Sequence, residues 1–516
     1  MDTIISHSER SVPMDVGRVF TPLEWAVWCV RNFGVYQQWI QGASIIDPTC
    51  GHGVFFEALF LQAQQNNYQI RQTDLLRLTG IEITNSDKDD FLKLANNKYQ
   101  IDFPEKNFIT RDFLDVKGNN QFDIAVGNPP WVNFTDLSSM YKSKIKNYFI
   151  EYGLVKNKQS VLLGSSRIDM ASLILKKVMK DHVKPNGLGL FFVPLSIFFN
   201  EEANREFRPE SGTKNTFSVQ RMFDFESGLV FKDIHTKNGF IHLKRDGKQH
   251  FPVPLEKLHL DGKESLSWCR PAFRKGAWIQ SHQRDQEISF NLISVERKQM
   301  PRQGMNSCGL NKVFILKRQD MIERHCNEPF KFINGFGNTV TLESQFLLPL
   351  MHAGLFGRKK PSIMRYILCL HRRDGSALSY DDLEQFPLTL EYLSQYRDEM
   401  THRKGVLIQS LISEGRFWSL LGVGAYSFSK YKISWESLGR SEFKAVILDG
   451  HWQGNQAMHS YIPSPSLEDA TRICTELNDT VPNYLKSFGM EGTCNWAQPG
   501  RIKHLLTHSD LPSLFS

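Results

Sequence analysis

The sequence predicts an α/β fold, with a largely parallel sheet in the first half and a mixed α/β region in the second. Three observations carry this. A short apolar run, Ala43–Ile46, leads into a glycine-rich turn and then a helical run to about Gln65, the opening strand–turn–helix unit of an open parallel sheet. Further apolar runs follow at spacings that leave room for crossover helices, and the acids Asp47, Glu82 and Asp112 stand at the ends of the first three. Beyond about Arg245 prolines increase and apolar spacing turns irregular. Two domains are therefore expected, over 1–245 and 246–516.

Composition sets outer limits. With 516 residues, 41% hydrophobic and 23% charged, this is ordinary globular material with ample chain for a core. A formal charge of +7 permits an anionic partner such as nucleic acid without demonstrating one. The eight cysteines form no CxxC pair and no Cys/His cluster at zinc spacing, so no metal site is expected. No secretory signal and no bilayer-spanning apolar run is seen. A reduced, cytoplasmic chain without membrane attachment fits best.

Taken in order, Thr21-Pro22-Leu23-Glu24 reads as a helix start. Thr21 is the N-cap, Pro22 takes a favoured first-turn place, and Glu24 completes a capping box. After Ala43–Ile46 comes Asp47-Pro48-Thr49-Cys50-Gly51-His52-Gly53. Gly51 and Gly53 allow a tight turn and close approach to a ligand. Phe56 stands where a dinucleotide fingerprint wants a third glycine, and no Gly-Lys-Ser/Thr is present, so neither pyrophosphate cradle fits. Asp47 would repel phosphate but attract a cation. A positively charged nucleoside suits the turn, and S-adenosylmethionine answers that description. The strand Leu78–Glu82 places Glu82 where an acid holds ribose hydroxyls in such sheets. Phe108–Thr110 leads to Asp112, a potential acceptor for an adenine amine, and to Phe113.

A fourth strand, Phe122–Val126, ends in Gly127-Asn128-Pro129-Pro130-Trp131. Two prolines fix φ, remove N–H groups and keep the preceding residues extended. The backbone there presents free carbonyls beside the Asn128 amide and an aromatic plane. The Asn128 oxygen and the Pro129 carbonyl can accept both hydrogens of an exocyclic amine, and Trp131 can stack on its ring. Holding both hydrogens favours a pyramidal nitrogen whose lone pair is free to attack.

This succession resembles the gamma class of N6-adenine DNA methyltransferases of restriction–modification systems. The residues that carry it are Phe20-Thr21-Pro22, Asp47 to Gly53, Glu82, Asp112-Phe113 and Asn128 to Trp131. The resemblance implies a Rossmann-like class I S-adenosylmethionine-dependent methyltransferase sheet followed by a C-terminal target-recognition domain. It implies that Thr21 borders the methionine moiety, that Asp47, Gly51 and Gly53 line the cofactor loop, that Glu82 takes the ribose, and that Asp112 and Phe113 take the adenine. Asn128, Pro129, Pro130 and Trp131 would be catalytic, acting on an adenine flipped out of double-stranded DNA, with no metal and no covalent intermediate. Cys50 and His52 depart from the small residues common in that loop. The choice of adenine over cytosine rests on the resemblance alone, because both bases carry an exocyclic amine. The same tetrapeptide type occurs in enzymes acting on RNA bases or protein glutamine amides, and a non-catalytic DNA-recognition subunit is a further alternative. A separate restriction endonuclease is the partner such systems imply.

Later segments are read as a helix over Arg167–His182, a turn at Pro185-Asn186-Gly187, a strand Leu188–Pro194, and an antiparallel pair Phe217–Phe225 and Thr236–Lys244. The family implies an aromatic on the far face of the base. Among Phe198, Phe199 and Phe207 the assignment falls on Phe199. In the second half, Arg302 to Asn311, a helix Leu388–Lys404, and Tyr426 to Trp435 resemble the specificity domain more loosely. Lys430, Lys432 and Arg440, interleaved with Tyr426, Phe428, Tyr431 and Trp435, suit phosphate contact with base or sugar packing. Arg358-Lys359-Lys360 and His371-Arg372-Arg373 are further candidates. Glu296-x-Lys298 and Glu442-x-Lys444 match half of a nuclease motif without a Pro-Asp partner, so no fused nuclease is expected.

Overall fold

Strands buried at nearly every position, rather than at alternate ones, must be covered on both faces. This holds for β1 (Ile45–Asp47), β2 (Leu78–Glu82) and β4 (Phe122–Gly127), beside which β3 (Phe108–Thr110) forms a less buried edge. The structure, a computed structural model, describes residues 18–508 apart from 156–167, 201–203, 233, 235, 274–275, 286–289, 319–329, 358–363, 439–441 and 490–495. It divides into two compact units, Met1–Ile288 and Ser289–Ser516.

In the first unit β1 pairs in parallel with β2 on one side and β4 on the other, and β2 pairs in parallel with β3. Next come β5 (Val183–Pro194), β6 (Phe217–Phe225), β7 (Asn238–Arg245), β8 (Val253–Leu258), β9 (Glu264–Pro271) and β10 (Trp278–Ser281). Among the described residues the sheet has ten strands in the order β10-β9-β8-β6-β7-β5-β4-β1-β2-β3. β5 is parallel to β4, and β7 runs antiparallel between β5 and β6. The chain leaves β1 toward β3 and then returns to β4 on the other side. The gap between the carboxyl ends of β1 and β4 is therefore the topological switch point, where ligands bind in such sheets.

Helices cover both faces. They are α1 (Leu23–Asn32), α2 (Val35–Ile40), α3 (Val54–Gln65), α4 (Gln72–Leu75), α5 (Asn85–Tyr99), α6 (Ser139–Glu151) and α7 (Met170–Lys177). On one face α1, α2, α3 and α5 pack with Ile45, Ile124, Val126, Leu190, Phe192 and Phe240 in one apolar cluster. Trp25 of α1 lies 5.0 Å from Phe225, and Trp28 lies 5.0 Å from Phe223. The alternate positions of β5 face the other way, since a Cβ at Gly189 would stand 2.6 Å from Met179 Sδ.

Several sequence expectations are corrected here. The first unit runs on to Ile288 rather than ending at 245, because β8 pairs with β6 and carries β9 and β10 into the same sheet. Pro185-Asn186-Gly187 is no turn: β5 continues through it with an irregular register opposite Phe122 and Ile124, and Asn186 supplies the left-handed backbone the bulge needs. The described helix there is α7, followed by a π-helical turn Val178–His182, and Arg167 lies outside the described residues. Helix α6 was not anticipated. Its only buried residues are Ile145 and Phe149, too few to print a helical apolar stripe. The antiparallel pair β6–β7 is present as expected.

The second unit has β11 (Ile293–Val295) paired with β21 (Leu506–His508). It also holds a five-stranded antiparallel sheet of β13 (Ile315–Arg318), β14 (Phe330–Ile333), β15 (Thr339–Leu342), β16 (Leu347–Pro349) and β17 (Arg365–Leu368). Its four-stranded sheet comprises β12 (Arg302–Gln303), β18 (Tyr431–Glu436), β19 (Val446–Asp449) and β20 (His459–Ser464), with the long helix Leu467–Lys486 packed against it. The helix expected over Leu388–Lys404 breaks at Tyr396 into Pro387–Gln395 and Arg397–Thr401. Arg403, buried, donates to the carbonyls of Met400, Ser419 and Phe417 and so ties this region together. No helix of the described residues is long and apolar enough to cross a membrane.

The turn after β1 is held by Gly53, whose φ is +70° and whose missing Cβ would lie 2.3 Å from the Phe91 ring. Gly53→Ala is expected to cost about 2–4 kcal/mol, combining left-handed strain with overpacking. Urea denaturation of the two proteins measures it.

Candidate active site

The switch point is organised by a buried carboxylate. Asp47 closes β1, is 1% exposed, and accepts the Thr49 N–H at 3.1 Å. A Cβ on Gly127 would stand 2.9 Å from Asp47 Oδ1, so only glycine lets the end of β4 lie against this acid. Burial pushes the Asp47 carboxyl well above the usual carboxylate range, and the Glu82 charge adds to the rise while the Thr49 amide opposes it. A bound cation would reverse that shift. Glu82, at the end of β2, accepts Gly51 N–H at 2.8 Å and Ile83 N–H at 2.9 Å. Two acids on adjacent strand ends thus shape the glycine turn. Cys50 is packed against Gly80, and burial pushes its thiol well above the usual range, which leaves it chemically inert.

The approach to Glu82 is lined by Arg18, which motif reading did not single out, and by Phe20 and His52, which it named without placing them there. Arg18 stands 3.6 Å from Glu82 and forms an ion pair with Asp87. His52 lies 3.5 Å from Asp87 and stacks on Phe20 at 5.2 Å. Arg18 in turn lies over the Phe20 ring. The segment Arg18–Phe20 therefore lies beside the acid expected to hold a ribose.

At the end of β4, Asn128 Nδ2 donates to the Val19 carbonyl at 2.8 Å and to Thr21 Oγ1 at 3.1 Å. Its Oδ1 is buried and, among the described residues, has no hydrogen-bond partner. Buried acceptors are ordinarily satisfied, so an orphan here marks a place for a donor from outside the chain. Trp131 Nε1, Thr49 Oγ1 and Thr110 Oγ1, also at the carboxyl ends of strands, are buried and unpartnered too. The expected Thr21 capping box does not form. α1 begins at Leu23 with no side-chain cap, because the Pro22 carbonyl takes the Trp25 and Ala26 amides while the Thr21 hydroxyl is engaged by Asn128. Beyond Trp131 the loop is clamped to the start of α7: Met170 N–H donates to Val132, and Phe134 N–H donates to Ile168. Asp169, which caps α7, is pushed up to about 7 by burial. Sequence reading passed over it.

The adenine-binding expectation is partly occupied from within. Asp112 accepts Leu114 N–H at 3.0 Å, Tyr141 Oη–H at 3.1 Å and Lys144 Nζ at 2.7 Å, both latter residues coming from the unanticipated α6. Phe113 is buried against His182 at 5.0 Å, with Lys177 over its ring, so its ring is spent on packing. Phe199 is fully buried, as are Phe198 and Phe207. The ring that meets Trp131 is instead Phe231, edge to face at 5.0 Å, from the loop between β6 and β7. A residue in a loop carries no periodic signal that would single it out.

In the second unit, Lys430 is exposed and lies over the Tyr431 ring. Lys432 is fully buried, donates to the carbonyls of Gly450 and Trp452 at 3.0 and 2.7 Å, and is pushed down to about 7 by burial. It is a structural lysine, which corrects the expectation of a surface contact: β18 lies between β19 and β20 and buries its middle residues. Trp435 is likewise buried, donating to the Ala497 carbonyl. Arg302 lies over Tyr426 at 4.4 Å. Arg440 and Arg358-Lys359-Lys360 lie outside the described residues.

Comparison with known proteins bears on this site. Residues 56–231 match the family model of the Eco57I restriction-modification methylase. The type II methyltransferase M.NspV of Nostoc sp. (strain ATCC 29411 / PCC 7524) is 24% identical over 452 residues, covering 83% of this chain and 82% of the relative. The Type IIL restriction-modification enzyme MmeI, solved in complex with DNA, superposes with a TM-score of 0.58 at 11% identity over 92% of this chain. This chain spans 64% of the MmeI chain. A nuclease-deletion mutant of the Type ISP restriction-modification enzyme LlaGI, solved with a DNA substrate mimic, gives 0.51 at 11% identity over 87% of this chain and 49% of that one. At these identities the structures establish a shared fold.

Asp47→Asn keeps an acceptor for the Thr49 amide and removes the charge. A buried acid with a raised pKa costs stability as pH rises above its unfolded value, so the variant is expected to be at least as stable at pH 7. Its affinity for S-adenosylmethionine should fall about tenfold or more, the worth of a charge-assisted contact. Denaturation and calorimetric titration read the two effects separately, and unchanged affinity would remove Asp47 from the site.

Proposed function

We propose that the chain, a DNA methyltransferase of restriction–modification type, uses S-adenosylmethionine to methylate the N6 amine of an adenine flipped out of double-stranded DNA. The observation that carries the reading is Asn128. Its amide nitrogen is anchored to Val19 and Thr21 while its oxygen is buried and, among the described residues, unpartnered; the Pro129 carbonyl follows next in the chain. It follows a strand end that lies against Asp47 at the switch point. Two acceptors there can take both hydrogens of an exocyclic amine and leave its lone pair free.

Bound at the β1–β2 ends, S-adenosylmethionine would supply a methyl group made electrophilic by its sulfonium. Asp47 provides the negative charge that favours a cation. Glu82 retains lone pairs for ribose hydroxyls once its two backbone amides are counted. Asp112 would border the adenine, with Phe113 packed behind it. Asn128 and the Pro129 carbonyl would hold the target amine while its nitrogen bonds to the methyl carbon and the carbon–sulfur bond breaks, leaving a neutral thioether; the methylated nitrogen would then pass one proton to solvent water. Trp131 and Phe231, in contact with one another, supply aromatic surface for a base removed from its stack. Extrusion costs a few kcal/mol, offset by stacking and phosphate contact.

The second unit serves, in this reading, as the target-recognition domain. Lys430 beside Tyr431 and Arg302 over Tyr426 offer exposed charge on aromatic supports. A separate endonuclease completes the proposed restriction–modification pair.

The deciding experiment is sequencing of DNA for methylated bases after exposure to the protein, which reports base, position and motif together. Asn128→Ala is expected to abolish transfer while leaving cofactor affinity within about threefold, since the lost group contacts the other substrate. Near-normal turnover in that variant, or labelled methyl appearing on RNA or protein instead of DNA, would overturn the assignment. Lys430→Ala should lower the slope of log K against log salt by about 1, whereas Lys432→Met should leave that slope unchanged and weaken the fold of the second unit.

A further inference from the structure

We infer that Thr21 is a positioning residue for methyl transfer: its hydroxyl, with the Val19 carbonyl, orients the Asn128 amide so that oxygen and not nitrogen faces the substrate amine. The inference rests on the function proposed above and gives Thr21 work distinct from bordering the cofactor.

A primary amide has two ends of nearly equal size and opposite hydrogen-bonding character. Turned by half a rotation, Asn128 would point two N–H donors at an amine that is itself a donor, and the acceptor pair with Pro129 would be lost. The choice between the two orientations must come from the protein. The Val19 carbonyl, 2.8 Å from Nδ2, can only accept, so it rejects the amide oxygen. Thr21 Oγ1 is the second oxygen beside Nδ2, at 3.1 Å; a hydroxyl can donate or accept, so the Val19 carbonyl selects the direction and Thr21 holds the amide nitrogen in it. Among the described residues Oδ1 is left buried with no partner.

The placement of the segment supports a dedicated role. The Thr21 side chain does not cap α1: the N-cap position is Pro22, and Thr21 stands one residue before it, its hydroxyl turned to Asn128. The segment is pinned just upstream by Arg18, held on Glu82 and Asp87, and by Phe20, stacked on His52. A short stretch, 18–21, thus reaches from the acids of the cofactor side to the amide of the catalytic corner. Valine at position 21 would keep the shape and delete the acceptor. The remaining contact, to Val19, would hold only one of the two hydrogens.

The test compares Thr21→Val and Thr21→Ser with the unmodified full-length chain. Turnover on DNA and the dissociation constant for S-adenosylmethionine are measured for each. The valine variant is expected to lose about tenfold in kcat, the worth of one hydrogen bond, with cofactor affinity unchanged within about twofold. Serine is expected to restore the rate that valine removes. Unchanged kcat in Thr21→Val overturns the inference, and so does a rate loss wholly accounted for by weaker cofactor binding. Asn128→Ala run alongside separates the two levels: turnover surviving in that variant would sink the proposed function itself, whereas abolished turnover there with a normal Thr21→Val would sink only the role of Thr21.

Discussion

The contact between a buried carboxylate and a bare backbone is the constraint from which the site follows. Asp47 ends β1 and Gly127 ends β4, and the two strands are neighbours in register. With no Cβ at 127, the acid sits against the peptide that leads into Asn128. A carboxylate so placed is expensive in an empty protein, because burial disfavours its charge. Such a cost is tolerated where a ligand offsets it, and a cationic nucleoside is the kind of ligand that does. The same contact sets the end of β1 beside the peptide that leads into Asn128, the two places to which the proposed function assigns the cofactor and the amine.

Much of this was legible because the parallel strands are short, mostly apolar, and carry acids at or just past the ends of the first three. Fully buried strands have few sequence alternatives, and Asp47, Glu82 and Asp112 fall at their ends without further assumption. The glycine turn was equally readable, since Gly53 has a backbone conformation that side chains resist. What the residues could not reveal was which polar group engages which. The capping-box pattern at Thr21 is a correct local preference overridden by a tertiary partner 107 positions away. The partners of Asp112 come from α6, whose mostly exposed surface left no apolar stripe to find. Phe199 and Phe231 are both buried; what separates them is the contact of Phe231 with Trp131, made from a connecting loop where no periodic pattern marks it.

The second unit illustrates how a basic, aromatic stretch divides once it folds. Lys430 and Lys432 are two residues apart, yet one is exposed and the other buries its ammonium among backbone carbonyls. Charge in the sequence is therefore a poor guide to surface charge in a strand flanked on both sides. Arg403 repeats the lesson in the core of the same unit, where its guanidinium satisfies carbonyls that a loop would otherwise leave unpaired. Only the cations that remain outside can contribute to a polyelectrolyte interface.

An amide is a weak catalyst unless its direction is fixed. Asn128 accepts or donates with nearly equal ease, and in water it would do either. In this fold the direction is selected by a carbonyl that cannot donate and held by a neighbouring hydroxyl, both on the segment that precedes α1. The orphaned oxygen is then a consequence of satisfying the nitrogen, not an independent feature. Its burial raises the cost of leaving it unpaired, so the empty site is held in a state that an incoming amine improves. Preorganisation of this kind means the reacting groups need no rearrangement at the moment of transfer. It also accounts for why two prolines follow: a backbone that could relax would let the corner satisfy its own acceptors, and the attraction for the substrate would be lost.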